Sequence, residues 1–397
     1  MKIKQLDVAG FRSLKSVSWK PGDLNVVIGP NGAGKSNLLQ ALEMISASAQ
    51  GKLSDFILAA SGINSLLWDG QARNISFHLI WNPDRTLPNS KDYAEDNYDL
   101  LLAASPSFDY YQINLEKWAR DEIDDVTGLP ITNTWIDRKD GNFFYKGKEI
   151  DGTETSPQET ILSLFNSFPS DGFFKRGDNL YRRRLAELGI YHDWDVSQNA
   201  KIRQATVTRR ESRVASDGQN LISVLHTLYT SDREFERSLD AALHAAFGQD
   251  YEKLVFPPAA DQRIQLRLRW RTLRREVSAA DLSDGTLRFL LLLTVLIAPN
   301  PPMLIAIDEP ETGLHPSMLP IIAEFAVEAS SRTQVIFTTH SPQFLSAFGK
   351  HRPTTTVAEW KNGETLLHTL DGKQLDYWLE DYSLGALFES GQLEAMT

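Results

Sequence analysis

The stretch "VVIGPNGAGKSNLLQAL", Val26 to Leu42, sets three glycines and one lysine between an apolar run and a helical run. Gly29 to Ser36 fits G-x-x-x-x-G-K-[ST] in full. Phosphates are large anions that need several donors converging on them. Glycines at Gly29, Gly32 and Gly34 let the backbone N–H groups turn inward, where a Cβ would block the approach. The amphipathic helix predicted from Lys35 adds the positive end of its dipole. Lys35 can reach the outer phosphates of a nucleotide and Ser36 can bind Mg²⁺, with Ala33 and Asn37 beside them in the loop.

Hydrolysis needs a carboxylate and a water as well as a phosphate cradle. "MLIAIDEPETGLHP", Met303 to Pro316, offers the carboxylates. Its apolar run reads as a buried parallel strand. The run ends in Asp308-Glu309, and ligands of open α/β sheets sit at the carboxyl ends of strands. Two adjacent carboxylates capping an apolar strand are costly unless a cation or a reaction uses them. Asp308 is expected to hold the Mg²⁺ and Glu309 to polarise the attacking water. The next strand, in "QVIFTTHSP", ends in His340, which can donate a hydrogen bond to a terminal phosphate.

The rest of the chain is consistent with this reading. The 397 residues contain no cysteine, which excludes disulfide frameworks, zinc fingers and thiol nucleophiles. The N-terminal stretch lacks a signal-peptide core, and the longest apolar run, Phe289 to Ala298, is too short to span a bilayer. A cytoplasmic protein without membrane contact is expected. Net charge is −11, yet residues 181–275 hold 17 Lys and Arg against 12 Asp and Glu, a local excess of +5. A basic middle in an acidic chain hints at an anionic partner.

Three segments are expected. Residues 1–155 form an N-terminal lobe with the phosphate loop and a β-rich part. Within it, strands "IKQLDVAGF" and "LNVVIG" flank a "KPGD" turn, a hairpin surrounds Asp140-Gly141, and the acidic clusters "DYAEDNYD" and "DEIDD" read as loops. Residues 156–280 form a mainly helical insertion. It ends in "QRIQLRLRWRTL", a strictly alternating strand with Arg267, Arg269 and Arg271 on one face. Residues 281–397 return to α/β.

The combination of "GPNGAGKSN", "LSDGTLRFLLL", "IDEPETGLHP" and "TTHSP" resembles the ABC-type ATPases of the RecF/SMC/OLD kind, in particular the short bacterial ones catalogued as AAA-type ATP-binding proteins. "FRSLKSV", "ASDGQNLISVLHTL" and "YSLGALFESGQLE" add to the likeness. The resemblance implies an α/β P-loop NTPase fold of ABC-ATPase head type, with ATP and Mg²⁺ as ligands. It also implies a head-to-tail dimer or higher homo-oligomer, in which the signature Ser283-Asp284-Gly285 of one copy closes over the phosphate loop of another. Ser283 and Gly285 precede a helix, so hydroxyl and N–H groups there can point at an anion. Asp284 replaces the glycine of transporter-type signatures, so its side chain should turn away from the phosphate and cap its own helix. His315 stands where transporters place an acid. The same branch suggests Arg12 and Asn31 beside the nucleotide, and Gln158, or else Gln112, as the glutamine that joins the Mg²⁺ to the helical lobe. OLD proteins often carry a C-terminal Toprim nuclease. The 57 residues after His340 hold no Asp-x-Asp, so none is expected here.

The function this points to is an ATP-hydrolysing dimeric switch that controls a separately encoded nuclease or toxin in bacterial defence or DNA maintenance. Arg182, Arg183, Arg184, Arg203, Arg209, Arg210, Arg213 and the Arg267/Arg269/Arg271 face would contact DNA, RNA or a protein partner. The alternatives are a RecF-like DNA-repair ATPase and a nucleotide-loaded scaffold with little turnover.

Overall fold

The computed structural model describes residues 2–82, 95–105, 110–124, 127–139, 142–146, 148–150, 156–164 and 176–396. In chain order the elements are β1 (Ile3–Phe11), β2 (Leu14–Trp19), β3 (Leu24–Ile28), α1 (Lys35–Gln50), α2 (Leu53–Ala59), β4 (Asn74–Trp81), β5 (Glu95–Ala104), β6 (Tyr111–Ile123), β7 (Pro130–Lys139), β8 (Asn142–Tyr145), β9 (Lys148–Ile150), α3 (Ile161–Leu164) and α4 (Arg176–Ala186). There follow β10 (Gly189–Tyr191), β11 (Thr206–Val207), α5 (Leu221–Ser231), α6 (Arg233–Phe247), β12 (Tyr251–Val255), β13 (Pro258–Ala259), β14 (Arg263–Ile264), β15 (Arg267–Trp270), β16 (Val277–Ser278), α7 (Asp284–Ile297) and β17 (Leu304–Asp308). The last are α8 (Leu319–Ser330), β18 (Gln334–Thr339), α9 (Pro342–Ala347), β19 (Thr354–Lys361), β20 (Glu364–Thr369), α10 (Gly372–Trp378), α11 (Leu384–Glu389) and α12 (Gln392–Ala395). The residues group into two compact units that interleave along the chain. Unit 1 comprises Met1–Gly22, Val27–Leu188 and Thr354–Thr369, and unit 2 comprises Asp23–Val26, Gly189–Pro353 and Leu370–Thr397.

Unit 1 is built on an antiparallel sheet of order β2-β1-β4-β5-β6-β7-β8-β9. Inward and outward residues alternate along β4 and β5, as a half-covered sheet requires. Trp19, Trp81, Trp118 and Tyr98 fill the covered side. Strand β2, six residues long, was not foreseen between the first strand and the "KPGD" turn; it pairs antiparallel with β1, Val17 opposite Val8. The acidic clusters are strands rather than loops where they are described: Glu95–Asp99 opens β5 and Asp121–Ile123 ends β6. The reason is a cross-strand pair, because Asp96 lies opposite Arg120 and is held by it at 2.9 and 3.1 Å. Burial nevertheless pushes the Asp96 carboxyl up from its usual range. The turn at Asp140-Gly141 lies outside the described residues, as do residues 165–168 of the first helical segment.

Helix α1 is not amphipathic in the usual sense. Eleven of its 16 residues are buried, so it is enclosed on most sides. Gly51, left-handed at φ 73°, ends it.

Unit 2 carries a parallel set in the order β10-β17-β18. Val335 donates its N–H to the Asp23 carbonyl at 2.9 Å, and Asn25 Nδ2 donates to the Val335 carbonyl at 3.0 Å, which seats the start of β3 beside β18. Strand β10 was missed because three residues, Gly-Ile-Tyr, follow a helical run with no turn signal. Its register, Tyr191 beside Ile307, brings the residue after it to the carboxylate end of β17. The apolar run Phe289–Ala298 is a buried helix segment, as expected, and all its side chains are 9 % exposed or less. Each such Leu, Ile or Phe contributes about 1.5–3 kcal/mol by burial, so α7 is firmly anchored.

The alternating stretch 262–273 is not one strand. It divides into β14, which pairs with β11 and β13, and β15, which pairs with β12 and β16. Left-handed Asp261 and Gln262 precede β14, and Gln265 gives its N–H to the Pro257 carbonyl rather than to a ladder. The alternation itself survives, with Ile264, Leu266 and Leu268 buried and Arg267 and Arg269 half-buried. Among the described residues no helix is long and apolar enough to cross a membrane.

Candidate functional site

The phosphate loop lies in unit 1. Gly29, Gly32 and Gly34 all have positive φ, 143°, 82° and 92°. A Cβ on Gly29 would come to 2.3 Å from the Ala358 carbonyl oxygen, and one on Gly34 to 2.0 Å from Thr365 Oγ1. The loop is therefore restricted to glycine at both ends by space as well as by backbone angle. Gly32 has open space around it, and Asn31 beside it is exposed. Lys35 is buried, and its ammonium donates to the carbonyls of Gly29 at 2.8 Å and Pro30 at 3.1 Å, tying the loop across its mouth. Helix α1 starts on Gly34 with no side-chain cap and no acid in its first turn. Its N-terminal donors are thus left to an anion rather than to a side chain.

Ser13 and Thr365 brace this loop, and sequence reading found neither. Thr365 Oγ1 donates to the Ala33 carbonyl at 2.9 Å and lies 2.7 Å from Ser13 Oγ, which accepts from Asn37 Nδ2 at 2.7 Å. A lone serine and a threonine more than 300 residues apart give no sequence signal. Arg12, next to Ser13, has a left-handed backbone at φ 46° and a buried Nε without a partner. Burial lowers its guanidinium below the ordinary arginine range, with Glu43 opposing. Its neighbour Ser13 bonds Asn37 at the start of α1, whereas the charge acting on the Arg12 guanidinium is Glu43, about two turns further along that helix.

Gln158 does not fit. Thr160, two residues on, donates to the Ser48 carbonyl, and a Cβ on Gly51 would touch Ser163. This is the C-terminal end of α1, about 18 Å from Ser36 at 1.5 Å per residue. Gln112 is there too, since its neighbour Ile113 bonds Pro157. Neither glutamine reaches the phosphate loop. Helical composition suggested the start of a lobe at 156 but carried no information on which end of α1 it packs.

The carboxylate rim lies in unit 2, where three parallel strands end together. Asp308 pairs in register with Thr338, whose hydroxyl donates to Asp308 Oδ1. His192, just past β10, places Nδ1 at 3.6 Å from Asp308 Oδ2. Glu309 holds φ 46°, a left-handed angle rare for a side chain of its size. Such a conformation costs about 1–3 kcal/mol and persists only where surroundings fix it. The fixing contacts are its N–H to the Thr338 carbonyl at 3.0 Å and its Oε1 beside His340 Nδ1 at 3.0 Å. Turned this way, the Glu309 carboxylate and the His340 ring meet at the exposed end of the sheet. Beneath them Glu311 accepts from the Thr339 hydroxyl at 2.5 Å, and burial raises its carboxyl above the usual range. The rim can bind a cation through oxygen ligands and present a base to a water.

The signature turn is also in unit 2. Ser283 caps α7, accepting from the Thr286 N–H at 3.1 Å and touching the Thr286 hydroxyl at 2.8 Å. Asp284 turns aside as expected, but not to cap its helix. Its carboxylate accepts from Arg203, a residue read as part of a basic surface and found buried. Gly285 packs so closely on the loop after β17 that a Cβ would lie 2.5 Å from the Gly313 carbonyl oxygen. His315 caps the 3-10 turn Pro316–Met318 through Ser317.

The remaining arginines are divided between the units. Arg182, Arg183 and Arg184 sit on α4 in unit 1. Arg182 donates to the Ala49 carbonyl at 3.3 Å and Arg183 pairs with Glu187 one turn on. Arg267, Arg269 and Arg271 belong to unit 2, where Arg269 and, at 3.7 Å, Arg267 share Glu276. Around them a cleft of about 640 Å³ also takes in Arg271, Arg274 and Arg275.

A family model described as "AAA domain, putative AbiEii toxin, Type IV TA system" matches residues 24–346. An ATP/GTP phosphatase of Helicobacter pylori is 20% identical over 400 residues, 96% of this chain and 98% of that protein. The chromosome partition protein Smc of Lactiplantibacillus plantarum is 28% identical over 202 residues, 49% of this chain but 16% of that much longer protein. The RecF protein of Moorella thermoacetica is 48% identical over a short segment of 44 residues, 11% of this chain and 12% of RecF. Among solved structures, an Smc head bound to the C-winged helix domain of ScpA superposes with a TM-score of 0.57 at 16% identity, covering 95% of this chain and 100% of that one. At that identity the likeness shows the fold, the mixed α/β head of ABC-type ATPases. With its glycine-walled loop, carboxylate-ended parallel strand and matched length, the chain belongs to the family of P-loop ATPases so described.

Proposed function

We propose that this chain is an ATP phosphohydrolase and works as a nucleotide-dependent dimeric switch on a separately encoded effector, a nuclease or toxin. The observation that carries the hydrolytic reading is Glu309, held in a costly left-handed conformation with its carboxylate 3.0 Å from His340. A carboxylate fixed in this way suits a general base. In this reading the loop donors and Lys35 take the phosphates. The Ser36 hydroxyl and the Asp308 carboxylate, both hard oxygen donors, would hold Mg²⁺, which supplies charge neutralisation of the phosphates. His340 orients Glu309 and donates toward the terminal phosphate. The name of the full-length Helicobacter pylori relative supports hydrolysis, and the family description supports the link to a toxin. The solved Smc head, seen with a domain of ScpA, is an example of such a fold carrying a protein partner.

The switch requires that Ser283 and Gly285 meet the phosphate of a second copy. Ser283→Arg places a bulky cation on the turn while leaving Lys35 and the loop intact. It is expected to lower ATP-dependent association at least tenfold, measured by analytical ultracentrifugation with ATP and Mg²⁺, with ATP affinity of the monomer unchanged. If the variant associates like the wild type, the sandwich is wrong.

A second reading is favoured by the arginine cleft. Arg271, Arg274 and Arg275 are exposed, and among the described residues none of them forms an ion pair with an acid. Phosphate-backbone contact by nucleic acid would neutralise them. Arg271→Glu with Arg274→Glu is expected to weaken binding of a duplex oligonucleotide about 10- to 100-fold at 50 mM salt and to flatten its salt dependence by about two charges. An unchanged salt slope in a fluorescence-anisotropy titration would remove the cleft from consideration.

A further inference from the structure

We propose that Arg203 is a positioning residue of the signature turn, and that its pairing with Asp284 cancels the acid of that turn so that it can face the terminal phosphate of a nucleotide. This rests on the dimeric sandwich proposed above. The Arg203 side chain is 1% exposed. Its Nη1 donates to the carbonyls of Leu282 at 2.6 Å, Ala279 at 3.2 Å and Ala280 at 3.3 Å. Its Nε donates to the carbonyls of Val196 at 2.8 Å and Ser197 at 3.1 Å. Nη2 bonds Asp284 Oδ1. One guanidinium therefore clasps the whole approach to the turn from behind and ends on the turn's own acid.

The chemistry of the pair is reciprocal. A buried guanidinium surrounded only by carbonyls still needs a counter-charge, and Asp284 is that charge. In the other direction, Asp284 is 65% exposed and sits between the two residues, Ser283 and Gly285, that would address a phosphate. An unpaired carboxylate there would repel the anion. A signature with glycine in the middle would need no such partner; a signature with aspartate does. The segment that carries Arg203 also places His192 near Asp308, and its Asp193 pairs at 2.9 Å with Arg288, one turn beyond Asp284 on α7. The stretch from His192 to Arg203 thus touches the carboxylate rim once and the signature helix twice within unit 2.

The test compares wild type, Arg203→Gln, Asp284→Asn and the double variant of the full chain. Association is read by sedimentation with a non-hydrolysable ATP analogue and Mg²⁺, and monomer affinity by a fluorescent ATP analogue. Arg203→Gln is expected to associate at least tenfold more weakly with unchanged monomer affinity. The double variant is expected to return to within threefold of Asp284→Asn. Rescue by removing the acid is the readout a bracing role would not move. A double variant as weak as Arg203→Gln overturns the proposal. Should Arg203→Gln fail to fold, Arg203→Lys keeps the charge while losing most of the carbonyl bonds. Association within threefold of wild type then supports charge cancellation, and a tenfold loss that Asp284→Asn does not repair overturns it. A wild type that stays monomeric with the analogue overturns the sandwich and this inference together, and is recognised because no variant is needed to see it.

Discussion

Lys35→Ala is expected to abolish nucleotide binding at any practical concentration. Three terms add. The ammonium is the only full positive charge in the loop sequence, Gly29 to Ser36. It is buried, so its interaction with phosphate oxygens is screened little. It also holds the loop closed through the Gly29 and Pro30 carbonyls. Hydrogen bonds from charged donors contribute about 1.5–3 kcal/mol each. The loss of two to phosphate lowers affinity by about 100-fold or more, at 1.4 kcal/mol per tenfold. Hydrolysis falls further, because a donor aimed at the transferred phosphate is worth about 10²–10³ in rate. Isothermal titration with ATP and a phosphate-release assay check both, and a thermal melt by circular dichroism checks the fold. The neutral side chain removes a buried charge, so the melt should move little. Retention of micromolar ATP binding would show that the glycine-walled loop is not the phosphate site.

Glu309→Gln should behave differently, separating binding from chemistry. Glutamine keeps the size and one acceptor, so the left-handed turn and the contact with His340 can persist. It cannot take a proton. General-base contributions run to about 10²–10⁴ in rate, so single-turnover hydrolysis should drop by at least about 100-fold. ATP affinity should stay within about threefold of wild type. Associated, ATP-loaded protein should accumulate, because the step that releases it has been slowed. Turnover within threefold of wild type would remove Glu309 from the reaction and favour a nucleotide-loaded scaffold. The pair of variants is diagnostic: one empties the site and the other locks it filled.

The sequence alone determined the local chemistry. The glycine spacing from Gly29 to Lys35 dictates an inward-turned backbone because only glycine tolerates those angles and contacts. The apolar runs before Asp308 and through Phe289–Ala298 dictate a buried strand and a buried helix, because only burial takes stretches so nearly free of polar side chains out of water. The order of the four motifs was enough to indicate the family. Tertiary structure decided what meets what. Gln158 was drawn to the phosphate by analogy and lies at the far end of α1, since no local pattern says which end of a helix a distant loop will pack on. Arg203 looked like surface charge and is a buried clasp, since an arginine's partner is chosen by the fold and not by its neighbours in sequence. His192 and Thr365 carry no signal at all, because a three-residue strand and a single hydroxyl acquire meaning only when strand register and packing bring them beside a carboxylate or a glycine.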